Sequence, residues 1–357
     1  MNELEPQFNP GLIPDKVDAR DFLVSDILGA SQVDWEKGYS VFETLKIPVP
    51  VKDQNGSSSC TGQGSAQQYR VKNQATTSED KDFSPKFIYS QIAFPQGGAQ
   101  LRDAMKVMAD MGVSLEATVP SLDNGKPPSE AFMTDLSWKT EQVLKEAKAF
   151  DKFNYRMIPG GTSDIDLFAD AIQKFGGILM GFTGSNNGWC KPLISVPSKD
   201  DRTWGHAVYG CAYGMYEGKK CVFTPNSWGN RYGIKEGRWK GLQAIPEDYF
   251  LAETETAVGK VKGYLVFNLW VLVDDEQLPP NQKLMDFIKK NENKLIQLQD
   301  PGKPGSGAWG MFIDGVFRPC DDSRLAILNL TYTIRNGGGT GVSRELWDEL
   351  LKNSKPL

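Results

Sequence analysis

Histidine is almost missing from this chain. His206 is the single one in 357 residues, so any imidazole chemistry runs through that position. Cysteine is sparse as well: five residues, at 60, 190, 211, 221 and 320, with no CxxC pair and no zinc-type spacing. One histidine and scattered cysteines make no usual ligand set, so neither a metal nor a cofactor is expected. The odd count leaves at least one thiol free, and a disulfide framework is not expected in a chain this long. Basic residues carry no surplus: 40 Lys and Arg stand against 45 Asp and Glu, which argues against a nucleic-acid partner. Long apolar runs are lacking too. The most apolar stretch, YLVFNLWVLV (264–273), is too short to span a bilayer and reads as a buried strand, so no membrane partner is expected. The start, MNELEPQFNPGLIPDK, has neither the basic head nor the apolar run of a secretory signal. A cytoplasmic or particle-associated protein is therefore expected before a classically secreted one.

What is present is an ordinary globular composition, 39% hydrophobic and 24% charged, with 36 Gly and 21 Pro to punctuate it. The length predicts more than one core. Residues 1–50 read as an extended, Pro-punctuated segment packing on the domain that begins at residue 51. Helices are predicted over 60–75, 84–94, 99–112, 138–150 and 163–177, the last with Ser163 as N-cap and Gly176 as its stop. From residue 177 the pattern turns to short β-rich segments separated by Gly or Lys turns. A helical half thus precedes a strand-rich half, predicting an α+β fold with a cleft between two subdomains over 51–275. Beyond a linker-like EQLPPNQ, residues 276–357 read as a small α+β module. It has a polar helix at 281–298, a hairpin turning at Asp314-Gly315, and closing helices near 322–335 and 343–352.

Four places could carry chemistry. In QNGSSSC (54–60) a Gln precedes a Cys across five small or polar residues. Cys60 opens a predicted helix, where the dipole's positive end favours thiolate. His206 begins an apolar β-segment in TWGHAVYG, and Asn226 lies in TPNSWGN. Taken singly, each has an ordinary reading: a small buried thiol, a satisfied core histidine, a turn Asn, a polar loop Gln.

Taken together, and in this order, they resemble the papain-like cysteine peptidases. VKDQNGSSSC (51–60) is similar to that family's Gln-to-Cys stretch, and GHAVYGCAYG (205–214) to its histidine strand. NSWGNRYGIKEGRWK (226–240) is similar to its Asn-Ser-Trp-Gly segment, and PQGGAQLRDAM (95–105) to its Gly-Gly cleft wall. LIPDKVDARDF (12–22) and Ser59-Cys60-Thr61 resemble a bacterial and phage-type branch of the family. The resemblance covers about residues 10–273 and stops before the C-terminal module.

It implies a papain-like fold, with a helical half and a β-barrel-like half. It also implies an endopeptidase whose partner is a protein or peptide substrate. Cys60 would be the nucleophile and His206 its base and acid. Asn226 would orient the imidazole beneath Trp228, and Gln54 would donate to the oxyanion, with Ser59 in support. Gly97 and Gly98 would pair with the substrate main chain. Two departures stand out. Ser58 occupies a usual glycine position and could crowd the cleft, and Ser57 replaces a usual cysteine. The roughly 50 residues before Gln54 are too few for a long helical propeptide plus the usual mature start, so the expectation is either no propeptide or another restraint on activity. The alternative is a structural or binding protein on the same scaffold, its cleft restrained or inactive and its C-terminal module serving a docking partner.

Overall fold

The computed structural model describes residues 11–15, 33–54, 56–150, 153–158, 163–256, 259–263 and 265–274. It also describes the strand segments 295–299, 307–313, 316–319 and 340–341. The chain divides into two compact units, one holding the described residues up to Asp274 and the other those from Leu295 onward.

The larger unit opens with β1 (Tyr39–Ser40) and α1 (Val41–Leu45), where an extended chain is predicted. The helix forms there because the Ser40 hydroxyl accepts the Glu43 amide as an N-cap. The helices α2 (Cys60–Thr77), α3 (Pro85–Tyr89), α4 (Leu101–Met111), α5 (Glu130–Thr134) and α6 (Glu141–Lys148) come next. Helix α2 starts at Cys60 as predicted, and nearly all of its first four turns are buried. Gly62 and Gly64 cost helix stability, roughly 1 kcal/mol each against Ala. Close packing explains them. A Cβ on Gly62 would lie 2.7 Å from the Pro85 carbonyl, and one on Gly64 2.8 Å from Leu179. Helix α3 is shorter than the predicted 84–94, ending in turns after Tyr89.

The strand-rich half contains β2 (Asn154–Ile158), α7 (Ile165–Phe175), β3 (Ile178–Gly184), α8 (Asn186–Trp189), β4 (Trp204–Gly210), β5 (Ala212–Tyr216) and β6 (Lys219–Thr224). It continues with β7 (Gln243–Pro246), α9 (Glu247–Leu251), β8 (Glu253–Thr256), β9 (Gly259–Lys262) and β10 (Val266–Val273). Helix α7 is capped by Asp164 rather than Ser163, its carboxylate accepting the Asp166 amide; Gly176 ends it in a left-handed turn, as predicted. Among the described residues there is no closed barrel. Two open four-stranded sheets take its place, ordered β1-β5-β6-β7 and β2-β10-β3-β4. The segment from Trp204 to Tyr216 passes from one sheet into the other at Cys211. Strand β4 is an edge strand, with Phe182 opposite His206 on its paired side.

The core joins Cys60 and Tyr69 of α2 to Phe83, Phe87, Met105, Leu179 and Trp270, all fully buried. Lys52, nearly buried, is held by Asp82 at 2.8 Å. Cys60, Cys211 and Cys221 are free thiols, and no described helix is long and apolar enough to cross a membrane.

In the smaller unit, β11 (Leu295–Gln299), β12 (Gly307–Ile313), β13 (Val316–Pro319) and β14 (Thr340–Gly341) form one sheet, ordered β13-β12-β11-β14. The predicted hairpin is present, with Ile313 opposite Val316. The end of the predicted 281–298 helix is instead β11, whose alternating LIQLQ pairs antiparallel with β12. The remainder of that helix and the two closing helices lie outside the described residues.

Candidate active site

Cys60 is the first residue of α2 and is fully buried. The Ala207 backbone amide donates to its thiol, which brings the residue after His206 against the nucleophile candidate. His206 lies on β4 at 3% exposure, with its Nε2 2.9 Å from Asn226 Oδ1.

The bonding pattern assigns the orientation of that pair. Gln243 Nε2 donates to the Trp189 and Lys191 carbonyls, each at 2.7 Å, so Gln243 presents its Oε1 to Asn226. Asn226 Nδ2 donates to that oxygen, leaving Oδ1 for His206. An acceptor at Nε2 means the imidazole carries its proton there, and Nδ1 is the basic nitrogen of the neutral ring. Asn226 itself sits at φ 52, held by its amide on Thr224 Oγ1 and by Gln67 on its carbonyl. Trp228 stacks on the His206 ring at 4.8 Å, while Trp189 and Trp204 meet it edge-on at 5.3 and 5.5 Å. Three indoles thus shield the histidine–asparagine bond from water. Sequence reasoning found Trp228 but missed Trp189, Trp204 and Gln243. Trp189 is the last residue of the short helix α8.

Gln54 is buried and tied to the residue after Asn226: its backbone amide donates to the Ser227 carbonyl at 2.8 Å, and the Ser227 hydroxyl donates to its Oε1. Its Nε2 is therefore a donor, directed into the nucleophile loop with a 3.3 Å bond to the Ser57 carbonyl. Ser59 bonds Ser57 at 2.8 Å and Gln63 at 3.2 Å, which braces the loop where a disulfide could have.

Gly97 and Gly98 adopt φ 86 and 80. Both backbone groups of Gly98 are committed internally: its N–H donates to Tyr89 Oη at 2.8 Å and its carbonyl accepts from Phe94 at 2.9 Å. The pairing edge falls on the next residue, Ala99, which the sequence pattern does not single out.

That edge is already paired. Gly11–Asp15 runs across the cleft as a strap. Ala99 N–H donates to the Gly11 carbonyl at 2.9 Å, and Ile13 N–H donates to the Ala99 carbonyl at 3.0 Å. On the other side, the Gly11 and Leu12 amides reach the Gly205 carbonyl on the open edge of β4 at 3.3 and 3.1 Å. A Cβ on Gly11 would lie 2.9 Å from Cys60 Sγ and 2.1 Å from the Ser58 carbonyl, so only glycine fits over the thiol. Asp15 anchors the strap on the Arg102 amide and the Trp270 indole, at 3.2 and 2.9 Å.

Burial sets the electrostatics. It pushes the Cys60 thiol up to about 11, against the amide bonds of Ala207 and Thr61. It also pushes His206 down to about 4, against its bond to Asn226. With the strap in place, burial favours the neutral thiol and the neutral imidazole, opposing the thiolate that a helix start favours.

No protein-family model matches the sequence, and no curated protein matches it. Among solved structures the chain is similar to xylellain, a cysteine protease from Xylella fastidiosa. The identity is 23% and the TM-score 0.58, over 77% of this chain and 99% of that one. It is also similar to the recombinant stem bromelain precursor, at 18% identity and TM-score 0.52, over 77% and 80% of the two chains. A third similar structure is the proform of the ragweed pollen cysteine protease Amb a 11, at 16% identity and TM-score 0.50, over 70% and 68%. With its helical half, its open sheets and the cleft between them, the chain has the fold of the papain-like cysteine proteases.

Proposed function

We propose that the protein is a cysteine peptidase that hydrolyses peptide bonds through Cys60, His206 and Asn226, with Gln54 as oxyanion donor. The observation that carries the reading is the convergence on Cys60. The Ala207 amide, next to the oriented His206–Asn226 pair, bonds the Cys60 thiol, and Gln54 Nε2 bonds the Ser57 carbonyl in the loop that leads to it. Cys60 passes its proton to His206 and attacks the scissile carbonyl. The oxyanion takes hydrogen bonds from Gln54 Nε2 and the Cys60 amide. His206 returns the proton to the leaving amine, and water then releases the acyl group from sulfur by the same path. Ser59-Cys60-Thr61 and LIPDKVDARDF support the bacterial and phage-type branch as its place in the family.

The strap has to leave before a substrate can enter. Its departure rehydrates both groups and removes the burial that keeps thiol and imidazole neutral. The strap is also the observation that favours the second reading, a scaffold whose cleft holds its own chain and cuts nothing.

The test is intact-mass analysis of the full chain after brief treatment with an epoxide-type cysteine-peptidase inhibitor, beside turnover of fluorogenic peptides. The expected result is one adduct and measurable turnover, both lost in Cys60→Ala. Gln54→Ala should lower kcat about 100- to 1000-fold while labelling persists. Absence of any adduct under reducing conditions, even in Gly11→Ala, would leave the scaffold reading.

A further inference from the structure

The loop before the nucleophile and the Gly98-Ala99 wall of the cleft are joined by Glu130 and Tyr89, which take no part in the proposed catalytic steps. Glu130 opens α5, and its Oε2 accepts the Ser58 amide at 2.6 Å, two residues before the nucleophile. Its Oε1 accepts the Tyr89 hydroxyl at 2.5 Å. Tyr89 is fully buried, and its oxygen in turn accepts the Gly98 amide, beside Ala99. The path runs Ser58 N–H to Glu130, and Gly98 N–H through Tyr89 to Glu130. Burial and the neighbouring carboxylate both push the Tyr89 phenol up, so it stays a neutral donor. The Tyr89–Glu130 distance is that of a charge-assisted O–H···O bond. Close packing supports the same tie: a Cβ on Gly97 would meet Ser58 Oγ at 3.1 Å and Glu130 Oε1 at 3.5 Å. One on Gly56 would meet the Pro128 carbonyl at 2.8 Å.

We propose that Glu130 is a positioning residue for extended substrates, acting through Ser58 in the loop before the nucleophile and through Tyr89 and Gly98 beside Ala99. The tie sets how far Ala99, the residue next to Gly98 and the partner of any extended segment in the cleft, stands from Cys60. It also explains why Gly98 has no amide left to offer: that amide is used to hold the wall. A carboxylate suits the position because it accepts on two oxygens at once. A glutamine has a single acceptor oxygen and keeps one of the two bonds, and an aspartate is one methylene short of spanning them. The proposal rests on the peptidase reading for its kinetic consequence, but not for the tie itself.

Two measurements on the full chain test it. The first is residue-resolved amide exchange. Glu130→Ala should speed exchange by about tenfold or more at Ser58, which loses its acceptor, and at Gly98, whose acceptor Tyr89 loses its anchor. Tyr89→Phe should speed Gly98 and leave Ser58 unchanged. Amides in α7 should not respond to either change. The second is the ratio of kcat/KM for an extended peptide amide to that for a minimal acyl ester. Strap displacement is common to both substrates and cancels in the ratio. The ratio should fall about tenfold in Glu130→Ala and in Tyr89→Phe, and by less in Glu130→Gln. Unchanged exchange at Ser58 and Gly98 would overturn the proposal. So would equal losses on both substrates with faster exchange throughout the unit, the signature of simple destabilisation. If the wild type turns over neither substrate, the peptidase reading falls, and the exchange pattern alone decides the role of Glu130.

Discussion

At the scale of single residues, the site depends on amides whose orientation is forced. Gln243 donates twice to backbone carbonyls, and this decides how Asn226 points and which imidazole nitrogen carries the proton. His206, pushed from the usual 6.5 down to about 4, yields a pH prediction. Between those values the unfolded chain binds a proton that the folded chain refuses, so stability rises with pH across the window. The contribution is complete above 6.5, fades as the pH falls towards 4, and is constant below. Denaturant titrations of wild type and His206→Gln should therefore converge as the pH drops from 6.5 to 4, because the shared carboxylates cancel. A stability difference that does not vary over this range would mean the imidazole is not buried in its neutral form.

At the scale of elements, the decisive piece is the strap from Gly11 to Asp15. An edge strand leaves backbone groups unpaired, and Gly205 on the open side of β4 is met by the strap's amides. Ala99 supplies the other side of the same groove. The fit demands glycine over the thiol, so Gly11→Ala should expel the strap. The Ser58 carbonyl it would strike belongs to a loop braced by Gln54 and Glu130, and that loop will not give way. Alkylation of Cys60 by iodoacetamide at pH 8 should then rise about tenfold or more, as the thiol regains water and leaves its raised range. An unchanged rate with an intact fold would show that the strap does not control access.

At the scale of the whole molecule, two compact units predict unfolding in more than one step. Phe168 of α7 is fully buried and meets Phe250 edge-on at 4.7 Å. Phe168→Ala should cost about 3–5 kcal/mol. In calorimetry it should lower one transition and leave the other in place. A single transition moving as a whole would mean that the two units unfold as one.

The sequence by itself determined the order of the halves, the start of α2 at Cys60 and the hairpin between Ile313 and Val316. Those features are written locally, in hydrophobic period and in turn residues. The tertiary structure decided the rest. Whether the strand-rich half closes depends on which strands pair across long stretches of chain, and it forms two open sheets. Gln243, Trp189, Glu130 and Tyr89 are ordinary residues until folding sets them beside Asn226, His206, Ser58 and Gly98. Gly98 was predicted to face substrate, yet Tyr89 takes its amide and passes the edge to Ala99. Cys60 was predicted as a thiolate from its helix position, yet a segment some fifty residues upstream covers it. No local pattern carries that information: a thiol's charge depends on the water around it, and the water is excluded by a contact between distant parts of the chain.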